Sequence, residues 1–319
     1  MTSNEMIQRT CVYGVGGVGG YFGGLIANKI VEQQDKKREI YFIGRGVHQQ
    51  QIKEKGLILN VSDKQLICKP TLAAESLHEV PAADIILLAV KSYDLEQAAR
   101  EISRHMKAGT MIIPLLNGVD IYQRVRNIIS QNPVFPACVY VFSSIEKPGV
   151  VTQKGSKGTI IFGKDPDYPD IVPMNVLDLF SYAGISHKWV DNIFQSIWKK
   201  YLLIAPFALV TGRYGVTFGE IFEKQELKEM TSHIMTELIA IAKFEGVEFN
   251  DAIISETLEN ASKLPYESKT SYQRDLEQKG KKNEGDLFGE TIIRLGKQYG
   301  VETPATKELY SYIQRNSNE

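Results

Sequence analysis

Residues 14–19, Gly-Val-Gly-Gly-Val-Gly, have the spacing G-x-G-x-x-G, inside a stretch "YGVGGVGGYFGG" that holds seven glycines in twelve positions. A glycine in a regular element costs roughly 0.5–1 kcal/mol relative to alanine, so such a cluster needs a reason. The motif follows an apolar run, "TCVYGV", that reads as a buried strand, and it opens a helix that the pattern carries through Ile30. In that context it is a dinucleotide fingerprint. Gly14 permits the tight turn, Gly16 leaves the backbone open to a diphosphate, and Gly19 lets the helix lie close to the strand. The helix start directs free N–H groups and a positive dipole end at phosphate oxygens. Gly14, Gly16, Gly17, Val18 and Gly19 are therefore the expected diphosphate-binding set.

The second strand-like run, "REIYFIGR", ends in Arg45. An NAD site usually carries an acidic residue there to hold the ribose hydroxyls. An arginine suits a ribose 2′-phosphate instead, which makes NADP(H) the expected cofactor. His48 is a weaker candidate for the same phosphate.

Three further polar residues stand at ends or faces where chemistry is done. Lys91 closes the apolar strand "ADIILLAVK", at the carboxyl edge where open α/β sheets bind ligands. Asn117 ends the next strand, "GTMIIPLLN", and its amide can both donate and accept. On a helix, Lys200 has Ser196, Ile197, Leu203 and Ile204 three and four positions away. A lysine on so apolar a face either snorkels or functions. Lys199, flanked by Gln195, Ser196, Leu202 and Leu203, is the weaker candidate.

These residues need elements to hold them. Up to about Asp191, continuous apolar strands alternate with helical patterns such as "SYDLEQAAREISRHM", which indicates an α/β domain with a mostly parallel, Rossmann-like sheet covered on both faces. "GLILNV" and "KQLICKPT" read as a hairpin, and "GVVTQKGSKGTIIFGK" as two strands around a Lys-Gly-Ser-Lys-Gly turn. Beyond Asp191 the patterns are helical only, beginning with a long apolar helix that contains Pro206. The expected division is a dinucleotide-binding domain over 1–191 and an all-α domain over 192–319.

Composition narrows the function. A net charge of −1 argues against nucleic acid or an anionic membrane surface as partner. The apolar runs "DIILLAV" and "YLLIAPFALV" are too short to span a bilayer, and "MTSNEMIQRT" lacks the pattern of a signal peptide. Three widely spaced cysteines suit buried thiols in a reducing cytosol, so the expected location is cytoplasmic. The five histidines show no metal-ligand spacing, and no metal is expected. Monomer and homodimer remain equally consistent with the sequence.

Taken together, "GVGGVGGYFGG", "AVKSYDL", "LLNG", "SIWKK" and "TSYQRDLEQKGKKNEGDLFGE" give the chain a resemblance to the ketopantoate reductase (2-dehydropantoate 2-reductase) family over nearly its full length. The resemblance implies reduction of a 2-keto acid by hydride from NADPH in the pantothenate route, with an active site in the cleft between a Rossmann domain and a helical domain. It implies that Lys200 is the catalytic lysine and general acid, and that Lys91 lies beside the cofactor. Asn117 then positions nicotinamide or substrate. Glu284, thirteen residues after Ser271, becomes the acidic residue near substrate and cofactor, orienting Lys200 and bonding the substrate hydroxyl. Ser271 becomes a ligand of the substrate carboxylate, although its alternative as a helix N-cap in "SKTSYQRD" is a serious one.

The chain departs from the family where asparagines are usual, with Ile204, Ala208, Phe218 and Ser268 in their places. Ser268 is the one replacement that keeps a polar group for substrate. A site built to bond a hydroxyl discriminates by ~10⁴ or more, and losing those partners loses that discrimination. Three readings follow: a ketopantoate reductase, a reductase of a more apolar 2-keto acid, or a non-catalytic NADPH-binding sensor.

Overall fold

The computed structural model describes residues 7–278, 280 and 282–316. Residues 1–6, part of the segment read for a leader peptide, lie outside them. The chain forms two compact units, one of Met1–Leu116 with Ile121–Ile193, the other of Asn117–Asp120 with Phe194–Glu319.

In the first unit, β1 (Gln8–Tyr13), β2 (Arg38–Ile43), β5 (Leu72–Ala74), β6 (Ile85–Leu88) and β7 (Met111–Pro114) form a wholly parallel sheet in the order β5-β2-β1-β6-β7. Val12, Phe42, Leu87 and Ile113 have no exposed surface, as expected of strands covered on both faces. The order reverses between β1 and β6, and a crevice opens beyond the carboxyl ends of strands at such a switch point. The glycine loop leads from β1 into α1 (Gly17–Glu32), and Lys91 follows β6, so both flank that point. Helices α2 (Gly46–Lys55), α3 (Leu95–His105), α4 (Ile121–Arg126) and α5 (Met174–Tyr182) complete the unit.

A second sheet has the order β10-β9-β3-β4, with β8 paired to β9. The expected hairpin is present as β3 (Leu57–Val61) against β4 (Lys64–Cys68), antiparallel from Leu57↔Cys68 to Val61↔Lys64. The expected turn at Lys154–Gly158 is not. β9 runs unbroken from Val150 to Gly163 between β8 (Ala137–Lys147) and β10 (Ser186–Val190), and the real turn is Pro148–Gly149. The Lys-Gly-Ser-Lys-Gly residues form a bulge instead, where pairing passes from Tyr140↔Thr159 to Phe142↔Lys154 and Gly155 takes φ +73°. The buried Gln153 amide donates to the carbonyls of Lys154, Gly155 and Ser156, at 2.7, 3.2 and 2.7 Å. It satisfies backbone that would otherwise have to turn outward.

Beyond β9, Asp165 is fully buried and accepts hydrogen bonds from the Tyr122 hydroxyl and the Val134 N–H, both at 2.7 Å. It also pairs with the Arg126 guanidinium, which donates to the Ile129 and Asn132 carbonyls at 3.0 and 2.9 Å. One buried ion pair thus fastens α4, the segment before β8 and the end of β9.

The second unit has helices and no strand among its described residues: α6 (Ile193–Tyr214), α7 (Phe218–Glu223), α8 (Gln225–Phe244), α9 (Ile253–Ser262), α10 (Ser271–Leu276), α11 (Thr291–Tyr299) and α12 (Pro304–Asn316). α6 runs without interruption through Pro206. By length and a mean hydropathy of 1.2 it could cross a membrane, contrary to the reading of its sequence as too short, yet 61% of that apolar stretch is buried as in a core helix. Its Tyr201 hydroxyl donates to the Leu287 carbonyl. The buried Glu237 of α8 accepts from the N–H groups of Ala305 and Thr306 at 2.7 and 3.1 Å and caps α12.

Candidate active site

The glycines of the loop divide by what a side chain would meet. A Cβ on Gly14 would lie 2.7 Å from the Ala89 carbonyl oxygen, and one on Gly19 would lie 2.0 Å from the Gly14 oxygen. A Cβ on Gly17 would lie 2.5 Å from the Ser143 oxygen of β8. Those three are required by close backbone packing. A Cβ on Gly16 meets nothing within 4 Å, so this position borders open space. Gly16 is also the N-cap of α1, with no side-chain cap and no acidic residue in the first turn, while the neighbouring Val18 packs partly against the core. The loop therefore fits a diphosphate: uncancelled N–H groups, a positive helix end, and room above Gly16. Gly16→Ala is expected to move folding stability by less than about 1 kcal/mol. It is expected to raise the Kd for NADPH about tenfold or more by blocking backbone approach. A fluorescence titration showing unchanged affinity would place the diphosphate elsewhere.

Arg45 follows β2, is exposed, and N-caps α2 with its own backbone extended. It lies beside the Tyr13 hydroxyl, a neighbour that the sequence did not suggest. Burial, then the Glu101 carboxylate, push the Tyr13 phenol well above its usual pKa, and Arg45 pulls it back. That phenol donates to Glu101 Oε2 at 2.5 Å. Burial raises the Glu101 pKa, but bonds from Tyr13, Leu77 and Ser76 outweigh it, and the net shift is downward. His48 is half-buried and both of its ring nitrogens are engaged with backbone, at Val15 and Gly149. That commitment leaves it no nitrogen for a phosphate. Lys91 is half-buried, at the start of a single 3₁₀ turn, Ser92–Asp94.

Asn117, Lys200, Ser268, Ser271 and Glu284 all fall in the second unit. Lys200 is 8% exposed, and its Nζ donates to Asn117 Oδ1 at 2.5 Å, joining residues 83 positions apart. Lys199 is exposed. Asn117 sits in a loop whose Gly118 takes φ +116°. The loop is fastened at its other end by Asp120 Oδ2, which accepts from Arg294 at 2.5 Å and Thr291 at 3.3 Å on α11. Asp120 gave no local signal in the sequence. Glu284 is 6% exposed and stands just before a π-helical turn, Asp286–Glu290, that runs into α11. Such turns frequently mark functional positions.

Ser271 is half-buried and is the first residue of α10, not its cap. Thr270 is the cap: its hydroxyl accepts the Gln273 N–H at 3.1 Å and shares a 2.9 Å bond with Thr211. The half-buried Ser268 accepts the Phe218 N–H through its carbonyl at 3.0 Å. Where the resemblance leads one to expect asparagines, Ile204 is half-buried, Ala208 is buried, and Phe218 stacks on Phe207 with centroids 4.7 Å apart. A cavity of about 290 Å³ lined by Phe218, Phe222, Glu223 and Tyr266 contains none of the predicted site residues.

A parallel sheet with a glycine loop at its switch point in one unit, and a buried lysine in the helical other, define a nicotinamide-dependent oxidoreductase. Residues 10–167 match the ketopantoate reductase PanE/ApbA family, and residues 192–317 match its C-terminal part. The chain belongs to the ketopantoate reductase family. It is 28% identical to the 2-dehydropantoate 2-reductase of Pyrococcus abyssi over 305 residues, covering 95% of each chain. It is 25% identical to "uncharacterized oxidoreductase YkpB" of Bacillus subtilis over 303 residues, covering 95% of this chain and 97% of that protein. Among solved structures, a PanE/ApbA family ketopantoate reductase from Ralstonia eutropha has a TM-score of 0.85 at 24% identity over 98% of this chain and 99% of that one. D-mandelate dehydrogenase with NADH and anilino(oxo)acetate has a TM-score of 0.86 at 23% identity, with the same coverage. These two likenesses establish the fold.

Proposed function

We propose that the protein reduces a 2-keto acid to the 2-hydroxy acid with NADPH, and that ketopantoate is the first substrate to test. The observation that carries this reading is the buried Lys200 ammonium on the Asn117 amide oxygen. When bound at the glycine loop, the nicotinamide would supply the hydride for the carbonyl carbon. Lys200 stabilises the negative charge that develops on the carbonyl oxygen and gives that oxygen its proton, so that C=O becomes CH–OH. Asn117 holds the lysine in place through Oδ1 and keeps its amide N–H₂ for nicotinamide or substrate. Ser271, relieved of capping by Thr270, bonds the substrate carboxylate, with Ser268 beside it in sequence. Glu284 receives the substrate hydroxyl and orients Lys200.

In this reading the first unit holds the cofactor through Gly14, Gly16, Gly17, Val18, Gly19 and Lys91, and the second unit supplies the catalytic groups. Three buried cysteines, none of them in a disulfide, suit a reducing cytosol. Arg45 selects the 2′-phosphate. Arg45→Ala is expected to weaken NADPH about 10- to 100-fold, the loss of one or two charge-assisted bonds. NADH should change less than about twofold, since it makes no such bond. Equal losses for both cofactors would remove Arg45 from phosphate selection.

The Phe218–Phe207 stack, with Ile204 and Ala208, favours a second reading, a more apolar 2-keto acid. Initial rates of NADPH oxidation with ketopantoate, branched and aromatic 2-keto acids separate the two. NADPH binding with no turnover on any of them would sink both and leave a sensor.

A further inference from the structure

We propose that His48 is a positioning residue for the cofactor, which sets the direction of the Gly16 N–H by holding the other end of the same peptide group. The proposal rests on the reading that a nicotinamide dinucleotide binds at the glycine loop. His48 lies on α2, and its ring spans two backbone groups. Nδ1 faces the Gly149 N–H at 3.0 Å, and Nε2 faces the Val15 carbonyl oxygen at 2.8 Å. A backbone N–H can only donate, so Nδ1 carries no hydrogen. The neutral ring then carries its proton on Nε2 and donates it to Val15. Burial lowers the His48 pKa, against the raising effect of the Val15 carbonyl, and so favours the neutral form that this arrangement requires.

The Val15 carbonyl and the Gly16 N–H belong to one planar trans peptide, in which they point in opposite directions. Drawing the oxygen toward α2 therefore aims the Gly16 N–H away from α2. Gly16 is the loop position where a Cβ would meet nothing within 4 Å. Without the imidazole the peptide is freer to rotate, because Gly16 imposes little backbone restraint of its own. A rotated peptide would present an oxygen where the diphosphate needs a donor. The Gly149 bond fixes the ring from the other side. Gly149 ends the Pro148–Gly149 turn, takes φ +79°, and anchors β3 through its carbonyl to Ile58 N–H at 2.9 Å.

The two ring nitrogens can be mimicked separately. An asparagine at 48 places an amide oxygen near the Nδ1 position and keeps the Gly149 bond. A glutamine reaches the Nε2 position and keeps the bond to Val15. Direct titration of NADPH by fluorescence, with thermal unfolding of the apo proteins alongside, reads the difference. His48→Ala and His48→Asn are expected to raise the Kd about five- to tenfold, the effect of one hydrogen bond, while His48→Gln stays within about twofold of wild type. In turnover, His48→Asn should raise KM for NADPH and leave kcat and KM for the keto acid near wild type. Equal NADPH affinity in all three variants would overturn the proposal. So would Kd values that follow the unfolding midpoints rather than the presence of a donor to Val15. Failure of the wild-type protein to bind NADPH or NADH would instead overturn the cofactor reading itself, and this proposal with it.

Discussion

Lys200→Ala is expected to lower kcat/KM by about 10²–10⁴ while the Kd for NADPH stays within about twofold. In the proposed mechanism the lysine has two tasks at the developing alkoxide, charge stabilisation and proton delivery, and alanine performs neither. Hydride transfer to an unassisted ketone leaves an alkoxide with only neutral donors around it, and one preorganised donor at such a position is worth about 10²–10³ in kcat by itself. Lys200→Arg should recover little of the loss. It keeps a positive charge, but the guanidinium does not release a proton at neutral pH, and its planar fork does not fit the single Asn117 oxygen that Nζ meets at 2.5 Å. The comparison to make is single-turnover hydride transfer in the two variants beside NADPH titration. A Lys200→Ala protein that turns over within a factor of ten of wild type would remove Lys200 from the chemistry.

Asp165→Ala is expected to destabilise the first unit by about 3 kcal/mol, because it leaves the buried Arg126 guanidinium with only the exposed Asp167 carboxylate, 3.1 Å from its Nε, as counter-charge. Arg126 is 7% exposed and Asp165 is fully buried, so water cannot replace the lost carboxylate. Tyr122 and the Val134 N–H lose their acceptor in the same step. Asp165→Asn should cost less, since the amide oxygen still accepts from one of them. The chain has two tryptophans, and Trp189 lies in the first unit while Trp198 lies in the second. In a Trp198→Phe background, urea unfolding followed by Trp189 fluorescence reads the first unit alone. Trp189 packs against Phe135 and Phe162 near the pinned segment. A shift below about 1 kcal/mol would show that the pair is dispensable.

Where function depends on short-range pattern, the sequence was legible. The glycine loop, the parallel strands around it and the helical second half could all be read, because alternation and continuous apolar runs are local signals. One reading failed and one element went unread. Lys154–Gly158 has the composition of a turn, and only the distant pairing of Lys154 and Thr159 with β8 makes it a bulge. The sequence of α2, "GVHQQQIKEK", buries only Gln49 and Ile52, so its apolar pattern was too thin to read as a helix. The partners within the site were out of reach for a different reason. Lys200 meets Asn117, Arg294 meets Asp120 and Tyr13 meets Glu101 across 83, 174 and 88 residues, and no window of sequence contains both members of any pair. Lys200 itself could be singled out by its apolar helical face, but which oxygen it would find could not.

The affiliation of Asn117–Asp120 with the helical unit makes this enzyme resistant to modular dissection. A gene cut at residue 193 would seem to yield two independent cassettes. The downstream product would lack the oxygen that Lys200 Nζ meets and the carboxylate that holds Arg294. The upstream product would keep four residues whose partners had been removed. Shuffling helical cassettes between relatives to change substrate would therefore require a three-crossover chimera that transplants the tetrapeptide with the helices.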